Sequence, residues 1–377
     1  MNKKYFDYLG IVMIVIFMII TVGYSYDNSD YKKATTMVRS LKNANLSHAN
    51  LAGKDLFGAD LTNADLRNSI LYKADLRRAN LTNANLANAN LTEALLYKAV
   101  FYKANLRNVT FSHTALFSTI FDNTMLSGAD FINVDLYKAS FKLIEVNNAD
   151  FSNANLMFAD LSGSDLTNAD FYSANLYSAN LSKAILHNAE FRAANLENAN
   201  LDGTDLSSAT IFSAKFKKAD FSNSKVIDAI IKKSTFVGAQ FLNADLTRGD
   251  FSDVYFDNAN FSGAILTGTS FNGSSFIKAN LIKARFNNST FNSVNFTNSN
   301  LSGVDFQGST FINVNFTGAD LTKADFSNVT IKNVNFSDAN MRNIKVDSSQ
   351  KSTIEKYYVK NFESINWQGE TMRIKGK

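Results

Sequence analysis

From Leu41 to Val346 every fifth residue is Leu, Phe, Ile, Val or Met, which makes 62 consecutive positions without a frame shift. From Ala44 onward the residue two places earlier is small, usually Ala, otherwise Ser, Thr, Val or Gly. Lys54, Ile144 and Ile344 are the departures. The residue between is usually Asp or Asn. A repeat of this regularity decides the fold before any local propensity does.

A period of five is neither the 3.6 of a helix nor the 2 of a strand. Calling the large residue i, positions i−2 and i point inward and i−1 points out, a short strand-like step. The remaining two residues turn a corner. The large side chain fills the centre, and the small one lets neighbouring walls approach. Asp or Asn at i−1 is placed to bond nearby backbone N–H groups, as these residues do in turns. Burying each large side chain contributes about 1.5–3 kcal/mol. Chain entropy of about 1–2 kcal/mol per residue offsets most of it. Each coil has only its neighbours, so both ends need caps. Lys54, in an inward slot of the first coil, is read as an ammonium snorkelling past the open end.

The length of 377 residues alone suggests two or three domains, but one solenoid accounts for most of it. There is no cysteine, hence no disulfide and no thiolate metal site. His48, His113 and His187 lack ligand-like spacing and are read as surface residues. There is no proline, which fits a backbone laddered along its length. The Asp residues recur at period five because the fold uses them there, and no facing base or nucleophile accompanies them. No glycine-rich phosphate loop opens a helix. The reading is therefore a non-enzyme with no cofactor and no metal. In Leu95–Val146 and Thr210–Gln240 most Asp/Asn positions are lost, and Ile70, Ile120 and Ile230 replace the polar outward residue. Such zones are expected to be bulged, bent or covered by a partner. After about Phe236 the central residue is mostly Phe, which predicts stacked rings in the core.

The pattern A-(D/N)-L-X-X, as in Ala59-Asp60-Leu61-Thr62-Asn63 and Ala84-Asn85-Leu86-Ala87-Asn88, resembles the pentapeptide-repeat proteins. The resemblance covers residues 41–346. It implies an all-β fold, a right-handed four-sided parallel β-helix with four pentapeptides per coil. About fifteen coils follow, a rod of roughly 75 Å at a sheet spacing of about 4.8 Å.

Four segments are expected. Residues 1–26 are a signal peptide or membrane anchor, 27–40 an N-terminal cap, 41–346 the solenoid and 347–377 a C-terminal cap. Lys3 and Lys4 precede an apolar run from Leu9 to Val22, and no charge occurs from Tyr8 to Tyr26. A basic start before a short apolar core fits a secretory signal, with Gly23 and Ser25 near the cut. The full uncharged width fits a span of about 20 residues. Either way the repeats are exported. Asn28 to Asn43 has Tyr31, Ala34, Val38 and Leu41 at helical spacing, with Ser29 as the expected N-cap. At the other end Ser352-Thr-Ile-Glu355 reads as a capping box opening a helix through about Val359. Gln368-Gly369 reads as the turn of a hairpin between Ser364 and Ile374, near the single Trp367. This cap is read as a hydrophobic plug or as a homodimer contact.

One outward column departs from the polar norm. Over the first seven coils the residue after the central Leu or Phe on one face reads Phe57, Arg77, Tyr97, Phe117, Tyr137, Met157, Tyr177. Phe57, Tyr97, Phe117, Tyr137, Met157 and Tyr177 form the candidate interaction stripe, read either as a stabilising ladder or as a partner surface. The functional reading is an exported or membrane-anchored non-enzymatic rod, a scaffold or protein-interaction module with an unidentified protein partner, with the membrane reached through residues 8–26 if they are not cleaved. A secreted effector acting in another cell is an alternative. A further one is the family's DNA mimicry toward a type II topoisomerase, which needs dense negative charge. The acidic and basic residues of 39–348 cancel, and the net +4 is left by the segments on either side. That balance disfavours the mimic. Lys215, Lys217, Lys218, Lys232 and Lys233 form only a local basic patch, so nucleic-acid binding is not favoured either.

Overall fold

The structure, a computed structural model, describes residues 26–36, 38–357, 359–360 and 362–368. The chain divides into two compact units between Asp135 and Leu136. The predicted signal or anchor lies, but for Tyr26, outside the described residues. Among the described residues no helix is long and apolar enough to cross a membrane.

Among the described residues the first unit opens with a helix, α1 (Asn28–Thr35). Its N-cap is Asp27, not Ser29. The Asp27 carboxylate accepts from the backbone N–H groups of Ser29 (2.7 Å) and Asp30 (3.2 Å), and the Ser29 hydroxyl donates to the same oxygen. Asp27 stands two residues before Ser29, where its carboxylate faces two unpaired donors. The helix stops at Thr35, so Val38 is exposed rather than part of an apolar stripe. It does lie on the first coil. Ala34 is buried, Asp30 accepts from the N–H of Asn45 (3.0 Å) and the Tyr31 hydroxyl donates to the carbonyl of Asn50 (3.2 Å).

The solenoid steps by 20 residues. In the first unit Asp60, Asn80, Val100 and Ile120 form successive parallel bridges. In the second unit Asp160, Asn180, Asn200 and Asp220 do the same. Four pentapeptides therefore close one coil. Backbone bonds run both ways between coils, as where Leu61 N–H donates to Asn80 (2.8 Å) and Asp60 N–H donates to Arg39 (2.7 Å). At most corners the N–H of the small residue returns to the carbonyl of the preceding large one, as from Ala64 to Leu61 (3.0 Å). Residue i+2 takes positive φ, for example +59° at Asn63 and +60° at Asn88, while i+1 does not. That is the signature of a type II turn. Asn, which tolerates the left-handed region, is common at i+2 and builds ladders there. Asn83 donates to Asn63 (3.2 Å), and Asn108 donates to Asn88 (3.1 Å). Gly128, at +73°, has a further reason to be glycine. A Cβ there would come within 2.5 Å of the Asn108 side-chain oxygen.

The inward positions behave as the pattern predicts. Large and small residues alike are buried, apart from Lys54 in the first coil and the central Ile331, which are half-buried. Ile144 and Ile344 are accommodated in their small-residue slots, also buried. The later core is stacked rings, with Phe256 lying 5.3 Å from Phe236 and 4.9 Å from Phe276. Stacking begins earlier than the sequence reading placed it. Phe101 and Phe121 already lie 5.4 Å apart and nearly parallel in the first unit.

In the zones poor in Asp and Asn the bridges from Leu95 to Asp135 and from Thr210 to Lys232 keep the regular step. Leu95 bridges Ala115, Val100 bridges Ile120, and Thr210 to Phe212 pair with Ile230 to Lys232, all in the 20-residue register. In the second unit one side of the coil widens into three-residue parallel strands, from β1 (Glu190–Arg192) and β2 (Thr210–Phe212) through to Thr330–Lys332. Each but the last buries its middle residue, β-branched or Phe, and turns its neighbours outward; Ile331 of the last is half-buried.

The C-terminal end differs in detail from expectation. A 3-10 turn, Ser348–Gln350, leads into α2 (Lys351–Glu355). Its N-cap is Gln350 with no side-chain cap bond, so the Ser352/Glu355 box does not form, and the helix ends before Val359. Ile354, Val359 and Ile365 are buried, as a plug requires. The strand Asn366–Gln368 pairs in parallel with Lys345–Asp347, adding a rung to the solenoid. The other arm of the expected hairpin lies outside the described residues.

Candidate functional site

The outward Asp and Asn side chains are occupied by the backbone. Asp60 accepts from the N–H of Thr62 (3.2 Å) and from its hydroxyl (2.6 Å), and Asp320 does the same with Thr322. Such Asx turns satisfy donors that the corner exposes. Among the described residues no group of three His, Asp or Glu side chains converges to hold a metal ion. His187 faces Asp205 at 3.5 Å, and His48 lies 3.4 Å from the amide of Asn68.

The six stripe residues fall in both units. In the first, Phe57 is exposed and the Arg77 guanidinium lies over its ring at 5.5 Å. Arg77, which interrupts the aromatic column, is itself held by Asp75 through bonds of 2.8 and 2.5 Å. The Arg77 side chain holds the Asp75 carboxyl below the usual carboxylate range, with burial opposing it. Tyr97 and Phe117 are half-buried and stack at 5.0 Å with 10° between their planes. In the second unit Tyr137, Met157 and Tyr177 are half-buried. The ring contacts there run through Phe158, which the column reading missed. Phe158 meets Tyr137 edge-on at 5.6 Å and Tyr177 at 5.9 Å. It occupies the left-handed i+2 position (φ +58°), where an exposed Phe is out of place on conformational grounds. That misfit was visible in the sequence once i+2 was known to need positive φ.

A second missed signal is the dipeptide Tyr-Lys within the repeat, at 72–73, 97–98, 102–103 and 137–138. In each case the i+2 lysine folds over the i+1 ring, with ammonium-to-centroid distances of 4.9, 5.0, 5.2 and 5.2 Å. The basic patch is partly neutralised, since Lys232 pairs with Asp250 (3.3 Å) and Lys233 lies over Phe212 (5.6 Å).

With the coil and its surface described, the comparisons can be read. Family models for pentapeptide repeats match residues 40–78, 74–112, 147–188 and 189–226, and a pentapeptide repeat region model matches 239–316, 260–336 and 279–355. This chain belongs to the pentapeptide-repeat family. Among solved structures it is similar to HetL of the cyanobacterium Nostoc sp. strain PCC 7120, a pentapeptide-repeat protein involved in regulating heterocyst differentiation. The identity is 30%, the match covers 57% of this chain and 97% of HetL, and the TM-score is 0.55. QnrB1, a plasmid-mediated fluoroquinolone resistance protein, matches at 18% identity over 60% of this chain and 95% of its own, with a TM-score of 0.27. At that TM-score the likeness does not extend to function. No curated protein sequence matches the chain.

Proposed function

We propose that this pentapeptide-repeat protein is an exported, non-enzymatic interaction module, held at the membrane or released beyond it, with an unidentified protein partner bound on its aromatic stripe. The observation that carries the reading is the Tyr97–Phe117 stack in the first unit, which stands at positions the fold leaves free. The Tyr137–Phe158–Tyr177 cluster of the second unit supports it. Rigid aromatic side chains supply large contact area at little entropic cost. Residues 1–26 are the proposed signal or anchor, 27–40 and 347–377 the caps, and 41–346 the solenoid, in about fifteen right-handed coils. The C-terminal cap is the proposed contact for pairing of two copies, which sedimentation of the protein with and without residues 347–377 tests. Cell fractionation with N-terminal sequencing tests export. Recovery of full-length protein in the cytosol would contradict it. In-cell photo-crosslinking from position 97 or 137 tests the stripe. A discrete protein adduct lost on substituting the neighbouring rings by Ser is expected, and the same adducts from a probe at exposed Thr110 would contradict it.

A further inference from the structure

The first unit carries a wider apolar surface, built on both sides of the stripe's Tyr97–Phe117 corner. Leu95 and Ala115 are bridge partners on one side of the coil, and Val100 and Ile120 are bridge partners on the next. All four point outward at positions where the repeat usually places Asp or Asn. The corner between the two sides is the Tyr97–Phe117 stack, and Tyr102 stands at the far corner. Leu95, Tyr102 and Ile120 are 41%, 38% and 36% exposed. Lys98 and Lys103 flank the patch, while Asp75, Asp122 and Asp135 stand on the adjacent coils, next to Leu95, Tyr102 and Ala115. Lys98 and Lys103 lie over the rings of Tyr97 and Tyr102, so each ammonium sits at the margin of the apolar surface.

We infer that this corner docks on an anionic lipid bilayer. The patch is convex, made of side chains that project from a corner. A convex apolar edge suits the headgroup–acyl boundary, into which side chains insert without a complementary pocket. Tyrosine prefers that boundary because its ring is apolar and its hydroxyl wet. Lysine beside it keeps its stem on the apolar layer and its ammonium among the headgroups. Each basic group near an anionic surface adds attraction, so Lys98 and Lys103 favour an anionic bilayer over a neutral one. The inference goes beyond the proposed protein partner, with which a bilayer would compete for the Tyr97–Phe117 corner, and it holds whether or not residues 1–26 are removed, because the patch belongs to the solenoid.

The absence of cysteine makes a direct test clean. Single Ala115→Cys and Thr110→Cys variants of the full chain, both at exposed outward positions, are labelled with an environment-sensitive fluorophore. Thr110 lies two pentapeptides from Val100, on the opposite side of the coil. Vesicles are phosphatidylcholine with phosphatidylglycerol, or phosphatidylcholine alone. The expected result is a blue shift and quenching by lipid-borne quencher at 115 but not at 110, on the anionic vesicles. Lys98→Gln and Lys103→Gln should each lower vesicle affinity about five-fold, with circular dichroism unchanged. Equal shifts at 115 and 110 would overturn the inference, since an inserted N-terminal segment alone would not distinguish the two sides. So would a label at 115 that stays in water on both vesicles, an outcome that leaves the corner to the proposed protein partner.

Discussion

Two stretches of the same repeat dress their outer surface in opposite ways. Between Asn295 and Asp325 nearly every i−1 residue is Asp or Asn accepting a backbone N–H two residues on, as in Asn295–Thr297 (3.0 Å), Asn300–Ser302 (3.1 Å) and Asn315–Thr317 (3.1 Å). Between Leu95 and Met125 the same positions hold Leu, Val, Asn, Thr, Ala, Ile and Met. The 20-residue register is the same in both, and so is the burial of positions i−2 and i. The Asx turn therefore stabilises a coil but does not define it. Surface that gives up a bond worth about 0.5–1.5 kcal/mol per site without gaining core has been put to another use.

The largest effect expected lies in the core that both stretches share. Phe256→Ala opens a hole in a ring stack and should lower stability by about 3–5 kcal/mol, read by thermal unfolding. A loss under about 1 kcal/mol would mean the stack is not the main support. Next is the left-handed corner. Asn88→Val places a β-branched residue at φ +60° and breaks an Asn ladder, and should cost about 1–2 kcal/mol. The comparison itself is tested by exchange. Asp305→Ala removes the acceptor for Gln307 N–H and should destabilise by about 0.5–1.5 kcal/mol, whereas Val100→Asn should leave stability equal or raise it by a similar amount. A large destabilisation from Val100→Asn would show that the apolar surface supports the fold. The smallest effect concerns charge. Because Arg77 lowers the Asp75 pKa, the pair stabilises the fold at neutral pH, and that contribution is lost as pH falls through the folded-state value below about 4. Arg77→Gln should move the Asp75 titration, followed by NMR, up toward the ordinary carboxylate range.

The fold was legible because its constraint is written on every fifth residue, and inward positions admit few residue types. The Asp and Asn roles were legible for the same reason. What escaped had local causes. The positive φ at i+2 leaves a weak compositional trace, since Asn, Lys, Ser and Gly all occupy it. Phe158 was passed over because it stands at that position rather than at i+1. Asp27 holds the helix cap because the helix starts at Asn28, one residue before Ser29, whose own N–H becomes a donor to Asp27. Of the candidate surface, the column was visible while its pairings were not. Arg77 on Phe57 and the lysines on their tyrosines depend on side-chain reach.

The central claim is that the outward aromatic positions serve binding and the inward ones serve folding. Its most direct test is to replace Tyr97 and Phe117 by Ser in the full chain, then measure the unfolding midpoint and the cross-linked partner from position 137 in the same preparation. The account predicts a midpoint close to that of the unsubstituted protein and loss of the partner. A large fall in the midpoint with the partner retained would contradict it, and would make the stripe a stabilising ladder.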